Sequence, residues 1–304
     1  MRFRIYQDSL TGGRKNNEDR VAYSYSKDAL LMAIADGMGG HLKGEVAAQL
    51  AVTVITENFQ RQARTTLRRP TEFLAESLHA AHRAIADYAA DSDLTEAPRT
   101  TCVACVVQND RAYWAHVGDS RLYLFREGQL LSQTRDHSRV QRLLDAGVIT
   151  AHEALVHPER NRIYNCLGGS VSPRVDVAPE TILRHGDMLL LSTDGFWSMA
   201  PIPEIENALR LRPPTEALPR LMREALNRGG DEGDNLSIVG MTWEAQGEPA
   251  TVDTISTLTM PVSAFATEFT SPRDARNESV PDISDEEIEQ SIAEIQAAIR
   301  RYSR

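Results

Sequence analysis

LLMAIADGMGGH, residues 30–41, is an apolar run that ends on an acid, Asp36, and then passes into glycine. Such a run is typical of a strand that is buried on both faces. MLLLSTDG (188–195) has the same pattern, and YWAHVGDS (113–120) comes close to it. A carboxylate at the end of a buried strand is unfavourable unless something compensates its charge. The recurrence therefore indicates a common reason for placing acids at strand ends.

Around these runs, strands come in hairpin blocks and helices come in pairs. Helical periodicity is predicted over residues 44–63, 71–92 and 203–229. Strands are predicted at the N-terminus (3–9), at 28–35, in four short segments between 101 and 134, and at 174–183, 187–193 and 235–244. The absence of strict strand–helix alternation favours an α+β fold with antiparallel sheets.

Composition excludes some classes of function. The chain has 304 residues, 41% of them hydrophobic, and a formal charge of −10, which argues against a nucleic-acid partner. Residues 245–304 hold eleven acids and five basic residues, so −6 of that charge lies there. With no signal pattern at the N-terminus and no apolar stretch near 18 residues, the sequence predicts a cytoplasmic protein without a membrane span.

Cys102 and Cys105 form a C-x-x-C pair, a spacing that can indicate metal or redox chemistry. The pair lies in TTCVACVV, which is predicted to be a strand. Residues three apart on a strand face opposite sides, so we expect the two sulfurs not to converge.

The last sixty residues differ in composition from the rest. Residues 245–282 are rich in Thr, Ser and Pro and predict a linker, although TISTLTM (254–260) and SAFATEF (263–269) could dock on the body. Residues 283–304 predict a single amphipathic helix with a capping box and a narrow isoleucine seam. An isolated helix of this length is marginal, so we expect it to bind either its own body or a partner.

Four acids share the strand-end setting: Asp36, Asp119, Asp194 and Asp234. Strand ends of a layered sheet gather along one rim, and several acids without a matching basic cluster are typical of a Mg²⁺ or Mn²⁺ site. GGRKNNED (12–19) adds Glu18, Asp19 and the cation Arg14. Divalent ions beside an arginine predict a phosphate site. The spacing of an EF-hand and the glycines of a P-loop are both absent from the sequence.

Taken in order, these stretches resemble the metal-dependent protein phosphatase 2C family, in particular its bacterial members. The motifs that carry the resemblance span residues 3–243 and are RKNNEDR (14–20), ADGMGGH (35–41), TTCVACVV (100–107), HVGDSRLYLF (116–125), TRDHS (134–138), RIYNCLGG (162–169), LLLSTDGFW (189–197) and GDNLSIV (233–239). The resemblance implies a phosphatase domain over 1–244, built as a β-sandwich of two antiparallel sheets flanked by paired helices in α-β-β-α layers. It also implies a flap at about 138–168.

The resemblance further implies two Mn²⁺ or Mg²⁺ ions and hydrolysis of phosphoserine and phosphothreonine in proteins by a metal-activated water. By position, Asp36 would bridge both ions and Gly37 would offer its carbonyl oxygen. Asp194 and Asp234 would hold the first ion, and Glu18 would serve the second.

Three further positions follow from the resemblance. Asp119, with Asp194, would hold a third ion, Asp19 would support the ligands, and Arg14 would bind the substrate phosphate. Met38 departs from the animal members, which carry a histidine there as a proposed general acid. A thioether cannot donate a proton.

Three functions stay open on this sequence. The first is a phosphatase that acts on phosphorylated proteins and reverses a bacterial Hanks-type Ser/Thr kinase. The second is a catalytically silent regulatory module on the same fold, which usually has lost metal carboxylates that this chain retains. The third is a hydrolase of a non-protein phosphoester, since surface and flap residues select the substrate.

Overall fold

A computed structural model describes residues 1–38, 43–245, 253–262, 264–270 and 273. Within these residues, fourteen strands, numbered in chain order, form two antiparallel sheets. The first sheet has the order β13 (Ile255–Ser256), β1 (Arg2–Leu10), β12 (Leu236–Trp243), β11 (Met188–Ser192), β7 (Arg121–Arg126), β8 (Gln129–Gln133).

The second sheet lies against the first. Its spatial order is β10 (Thr181–Ile182), β6 (Arg111–Val117), β5 (Cys102–Gln108), β3 (Ala29–Met38), β2 (Asp19–Tyr25), β14 (Ala266–Phe269). Two short strands lie beside this path: β4 (Arg99–Thr100) pairs with β3, and β9 (Asp176–Val177) pairs with β6.

Helices cover the outer face of each sheet. The second sheet carries α1 (Gly44–Gln62) and α2 (Pro70–Asp91), and the first carries α5 (Asp194–Trp197), α6 (Ile202–Leu211) and α7 (Pro214–Gly229). The remaining helices, α3 (Arg139–Asp145) and α4 (Ala151–Val156), lie in the segment predicted as the flap. The predicted α-β-β-α layering is therefore confirmed.

The side chains of β3 show why the layers form. Leu30, Met32 and Ile34 point into the core between the two sheets, whereas the alternate residues, including Leu31, point into the core beneath α1 and α2. Both sets are fully buried, so the strand is apolar on both faces, as predicted. Burying a leucine side chain fully contributes about 1.5–3 kcal/mol.

The cysteine pair follows the same alternation. Cys102 packs in the core beneath the helices, and Cys105 lies between the sheets. The expectation that the two sulfurs face opposite sides is confirmed.

Two strand assignments need correction. The strand predicted at 174–183 is two short strands, β9 and β10, with Pro179 between them. Proline lacks the N–H that a continuous ladder needs. In addition, β2, which pairs with β3 in the second sheet, is not among the predicted strands.

Part of the predicted linker docks on the body, as the two apolar stretches allowed. Ile255 and Ser256 form β13 beside β1, and residues 266–269 form β14 beside β2. The predicted helix at 283–304 lies outside the described residues, and the domain boundaries stay predictions. No helix in the described part of the chain is long and apolar enough to span a bilayer.

Candidate active site

The acids at the rim begin with two residues on neighbouring strands of the second sheet. Asp36 lies near the end of β3, and Asp19 is the first residue of β2; the strand register places them directly opposite each other. Asp19 is buried, with 1% of its surface exposed. Its carboxylate accepts a hydrogen bond from the Thr193 hydroxyl at 2.8 Å. Because Thr193 follows β11, this bond joins the rims of the two sheets.

Asp194 follows Thr193 as the first residue of α5. The Thr193 hydroxyl also accepts from the Ser237 amide on β12 at 3.1 Å, and the Thr193 amide donates to the Ser237 carbonyl. These bonds fix the backbone just before Asp194. The Asp194 carboxylate faces the same rim as Asp19 and Asp36, because it interacts with the carboxylates of Asp36 and Asp234.

Asp119 lies in the turn between β6 and β7 and is 5% exposed. Its carbonyl accepts from the Trp197 indole N–H at 3.0 Å. The next residue, Ser120, shares a 2.6 Å hydrogen bond with the Thr101 hydroxyl, which also accepts from the Asp36 amide at 3.3 Å. Thr101 thus links the turn that carries Asp119 to the strand that carries Asp36.

Asp234 and Arg14 occupy the far side of the rim. The Arg14 guanidinium lies 2.7 Å from the Asp234 carboxylate and keeps 58% of its side chain exposed. Residue 12 leaves no room for a side chain, because a Cβ there would lie 2.1 Å from the Asp234 carbonyl oxygen. Its φ of +65° also favours glycine. The loop that carries Arg14 therefore packs directly on the backbone of Asp234.

Glu18 is held in place through its own main-chain amide and carbonyl. Its amide donates to the Asn235 side chain at 2.8 Å, and its carbonyl accepts from the Gly37 amide at 3.2 Å. A Cβ at Gly37 would lie 2.3 Å from the Gly44 carbonyl oxygen, so the start of α1 passes very close to the strand. This approach brings Glu18 and Gly37 to the same edge of the site.

The acids shift one another's pKa. Burial, and then the Asp234 carboxylate, raise the pKa of Asp194 to about 6. Burial raises the pKa of Asp19 to about 7, although hydrogen bonds from Ser237 and Thr193 oppose the rise. Burial and the Asp194 charge raise the pKa of Asp36 well above its ordinary range.

The same effect reaches the other acids. Burial and the Asp194 carboxylate raise the pKa of Asp119 well above its ordinary range. Burial and then Glu45 raise the pKa of Glu18. The Arg14 pKa rises, chiefly through its hydrogen bond to Asp234. Carboxylates that are this close repel one another, so the site favours the binding of positive charge.

All eight residues singled out by the sequence therefore lie at one rim. Thr193, Thr101 and Asn235, which position these residues, were not among the predicted site residues. Asn235 donates to the carbonyls of Thr11 and Asn16, at 2.8 and 3.0 Å, and so anchors both ends of the Arg14 loop. Its place directly after Asp234 was the signal available in the sequence.

A second polar cluster lies behind Asp119 and consists of His116, His137 and Asp176, whose ligand atoms lie within 4.8 Å of one another. The His137 Nδ1 atom faces the Gly118 amide at 3.1 Å, and this amide can only donate. The proton of a neutral His137 is then on Nε2, 3.2 Å from the Asp176 carboxylate. A protonated Nε2 cannot ligate a metal, and the His137 ring instead supports the Asp119 turn through its bond from the Gly118 amide.

The two ends of the predicted flap pair with each other beside this cluster. The Arg139 amide donates to the Arg162 carbonyl at 2.9 Å, and the Tyr164 amide donates to the His137 carbonyl at 2.9 Å. Asn165 in turn lies 2.7 Å from the His137 ring. The segment that contains α3 and α4 is thereby attached next to Asp119.

Comparison with known proteins identifies the family. Residues 11–239 match the model of the protein phosphatase 2C family. The chain is 33% identical over 233 residues to protein phosphatase PhpP of Streptococcus pneumoniae, covering 76% of this chain and 94% of PhpP. It is 37% identical over 234 residues to serine/threonine protein phosphatase PstP of Mycobacterium tuberculosis, covering 74% of this chain and 42% of PstP.

A solved structure agrees with the sequence relatives. The catalytic domain of PstP in complex with two manganese ions superposes with a TM-score of 0.67 at 34% identity, covering 80% of this chain and 99% of that one. The protein described here belongs to the protein phosphatase 2C family.

Proposed function

We propose that the protein is a metal-dependent protein phosphatase that hydrolyses phosphoserine and phosphothreonine. The observation that carries the proposal is the rim itself: six carboxylates, five of them with a raised pKa, and an exposed arginine beside them. The family membership and the names of the relatives PhpP and PstP support this activity.

The donor set fits divalent metal ions. Carboxylate oxygens are the ligands that Mg²⁺ and Mn²⁺ prefer, and the raised pKa values indicate a deficit of positive charge among them. We assign Asp36 to both ions, the Gly37 carbonyl to one of them, Asp194 and Asp234 to the first ion, and Glu18 to the second. Such ions supply a nucleophilic water at neutral pH and withdraw charge from the phosphoryl oxygens.

Two further acids complete the proposed site. Asp119 would share a third ion with Asp194, and Trp197 and Ser120 hold its turn in place. Asp19 would support the ligands from behind, because its carboxylate is already engaged by Thr193.

The chain's own cation binds the substrate phosphate. Arg14 is exposed, and its guanidinium lies at the edge of the carboxylate cluster, so a phosphate bound to it would contact the rim. Arginine binds phosphate through two parallel N–H groups, which orients the phosphorus atom as well as binding it. Met38, at the end of β3, has no proton to donate to the leaving group.

We further propose that the substrates are phosphorylated cytoplasmic proteins and that the enzyme reverses a Hanks-type Ser/Thr kinase. The catalytic domain, 1–244, would carry the activity, with the flap at 138–168 beside the cleft. The segment at 245–282 would link this domain to the helix at 283–304, which would bind a partner or its own body.

Substrate hydrolysis tests the proposal. A phosphothreonine peptide, a small aryl phosphate and a nucleoside monophosphate are compared with Mn²⁺, with Mg²⁺ and with chelator, for the wild type, Asp36→Asn and the matched surface variant Asp87→Asn. We expect the peptide to be hydrolysed only with metal, by the wild type and Asp87→Asn. Preference for the nucleotide would favour the non-protein phosphoesterase instead. Absence of turnover from folded, metal-loaded protein would favour the silent module.

A further inference from the structure

The chain beyond the family match runs along the open edge of the sandwich. We call the described residues between 253 and 273 the C-terminal strap. Its first strand, β13, pairs with the start of β1, and its second strand, β14, pairs with β2. The strap therefore covers an edge strand of each sheet, where unpaired N–H and C=O groups would otherwise be exposed.

Side chains attach the strap along its length. The Thr257 hydroxyl, fully buried, accepts from the amino group of Met1 at 2.9 Å. Further along, the Thr267 hydroxyl lies 2.7 Å from the Ser24 hydroxyl and accepts from Gln60 at 2.7 Å. The strap is thus bound to the first sheet, the second sheet and α1.

The last described residue of the strap, Arg273, lies beside the loop that carries Arg14. The Arg273 amide donates to the Ser9 carbonyl at 3.0 Å. The Arg273 carbonyl accepts from both the amide and the hydroxyl of Thr11, at 3.0 and 3.1 Å. These bonds use the Arg273 backbone, and the guanidinium itself is exposed and 3.9 Å from Asp8.

Thr11 is consequently held from two sides. Its donors bind the strap, while its own carbonyl accepts from Asn235, the neighbour of Asp234, at 2.8 Å. Gly13 adds a bond from its amide to the Gly233 carbonyl at 2.9 Å. The phosphate loop, residues 12–16, therefore starts from a residue fixed between the metal-binding rim and the strap.

We propose that the C-terminal strap positions the phosphate loop through Thr11 and Arg273, so that Arg14 is already ordered when a phosphate binds. The inference rests on the proposed role of Arg14 in binding the substrate phosphate. It assigns a part in the reaction to residues beyond 239, where the family match ends.

Two matched pairs of substitutions in the full-length chain test the proposal. Arg273→Pro removes the amide that donates to Ser9, whereas Arg273→Ala keeps all three bonds of the Arg273 backbone. Thr11→Val removes the hydroxyl, whereas Thr11→Ser keeps it. We expect Arg273→Pro and Thr11→Val to raise the KM for a phosphothreonine peptide roughly 3- to 10-fold, the range set by one or two hydrogen bonds, with kcat within about twofold. Arg273→Ala and Thr11→Ser should match the wild type.

A structural control separates positioning from general loss of stability. Thr257→Val loosens the strap far from Arg14, so it should lower Tm and leave the KM unchanged. If Arg273→Pro and Thr11→Val raise the KM no more than Thr257→Val does, the proposal is wrong.

Amide hydrogen exchange over residues 12–16 gives a readout that needs no turnover. Exchange there should be roughly 3- to 10-fold faster in Arg273→Pro and Thr11→Val than in their partners. Equal exchange in all four variants would overturn the role of the strap. An inactive wild type with the expected exchange pattern would refute the phosphatase activity and leave the strap assignment standing.

Discussion

Removing one acid from the rim should make the metal-free protein more stable at neutral pH. In Asp194→Asn the isosteric amide carries no charge. Asp194 has a pKa of about 6 in the folded protein, against an ordinary value of 3.8, so between these values the folded state binds more protons than the unfolded state. Stability conferred by this group is therefore complete below its unfolded pKa and is lost as the pH rises through its folded pKa.

The magnitude follows from the two pKa values. The difference between 3.8 and about 6 corresponds to about 3 kcal/mol, of which roughly half is lost between pH 5 and 8. Asp19, with a pKa of about 7, acts in the same direction over a window that extends to higher pH. Because the two groups interact, their contributions to the pH dependence of the free energy of unfolding are not additive.

Urea unfolding in chelator at pH 5, 6, 7 and 8 measures this slope for the wild type, Asp194→Asn and the exposed-site control Asp87→Asn. We expect the wild type and Asp87→Asn to lose on the order of 1–2 kcal/mol or more over this range, and Asp194→Asn to lose less. Saturating Mn²⁺ should flatten the wild-type curve. Identical slopes in all three proteins, or wild-type stability that rises with pH, would refute the reasoning.

Three other substitutions test phosphate binding, metal binding and core packing in turn. Arg14→Lys should raise the KM for a phosphopeptide roughly tenfold with a smaller effect on kcat, because an ammonium lacks the paired N–H groups; an unchanged KM in steady-state kinetics would contradict this. Thr193→Val removes the donor to Asp19 and should weaken Mn²⁺ binding roughly 10- to 100-fold in calorimetric titration. Thr193→Ser should bind as the wild type does, and equal affinities for all three would count against the support role. Leu190→Ala, in the core beneath α6 and α7, should lower the free energy of unfolding by about 2–5 kcal/mol in urea and leave the KM unchanged.

Much of the fold could be predicted because its signals are local. The alternation in β3 and the periodicity of α1 and α2 depend on which face of an element is buried. That face can be identified from the sequence of the element alone. β2 was missed because it is stabilised by pairing with β3, and its own sequence begins within the polar loop after Arg14. The docked strap was foreseen only as an option, since a two-residue strand such as β13 gains its stability from the partner strand.

The site shows the same division. Asp36 and Asp194 were found because an acid after an apolar run is locally unfavourable and therefore conspicuous, and Asp234 was found because it lies just before a predicted strand. Asn235 and Thr101 act by bridging segments that are distant in sequence. Apart from the position of Asn235 directly after Asp234, their neighbours do not distinguish them from ordinary loop residues. Their roles depend on hydrogen bonds that exist only once the two sheets have packed.

The central claim is that the carboxylate rim holds the divalent ions on which hydrolysis depends. Its most direct test is calorimetric titration of Mn²⁺ into the apo wild type, Asp36→Asn and Asp87→Asn, with phosphopeptide turnover measured at each metal concentration. The account predicts at least two bound ions in the wild type and Asp87→Asn, with turnover rising as they bind. Asp36→Asn should lose both the binding and the turnover. Full turnover in metal-free wild type, or undiminished Mn²⁺ binding by Asp36→Asn, would contradict the account.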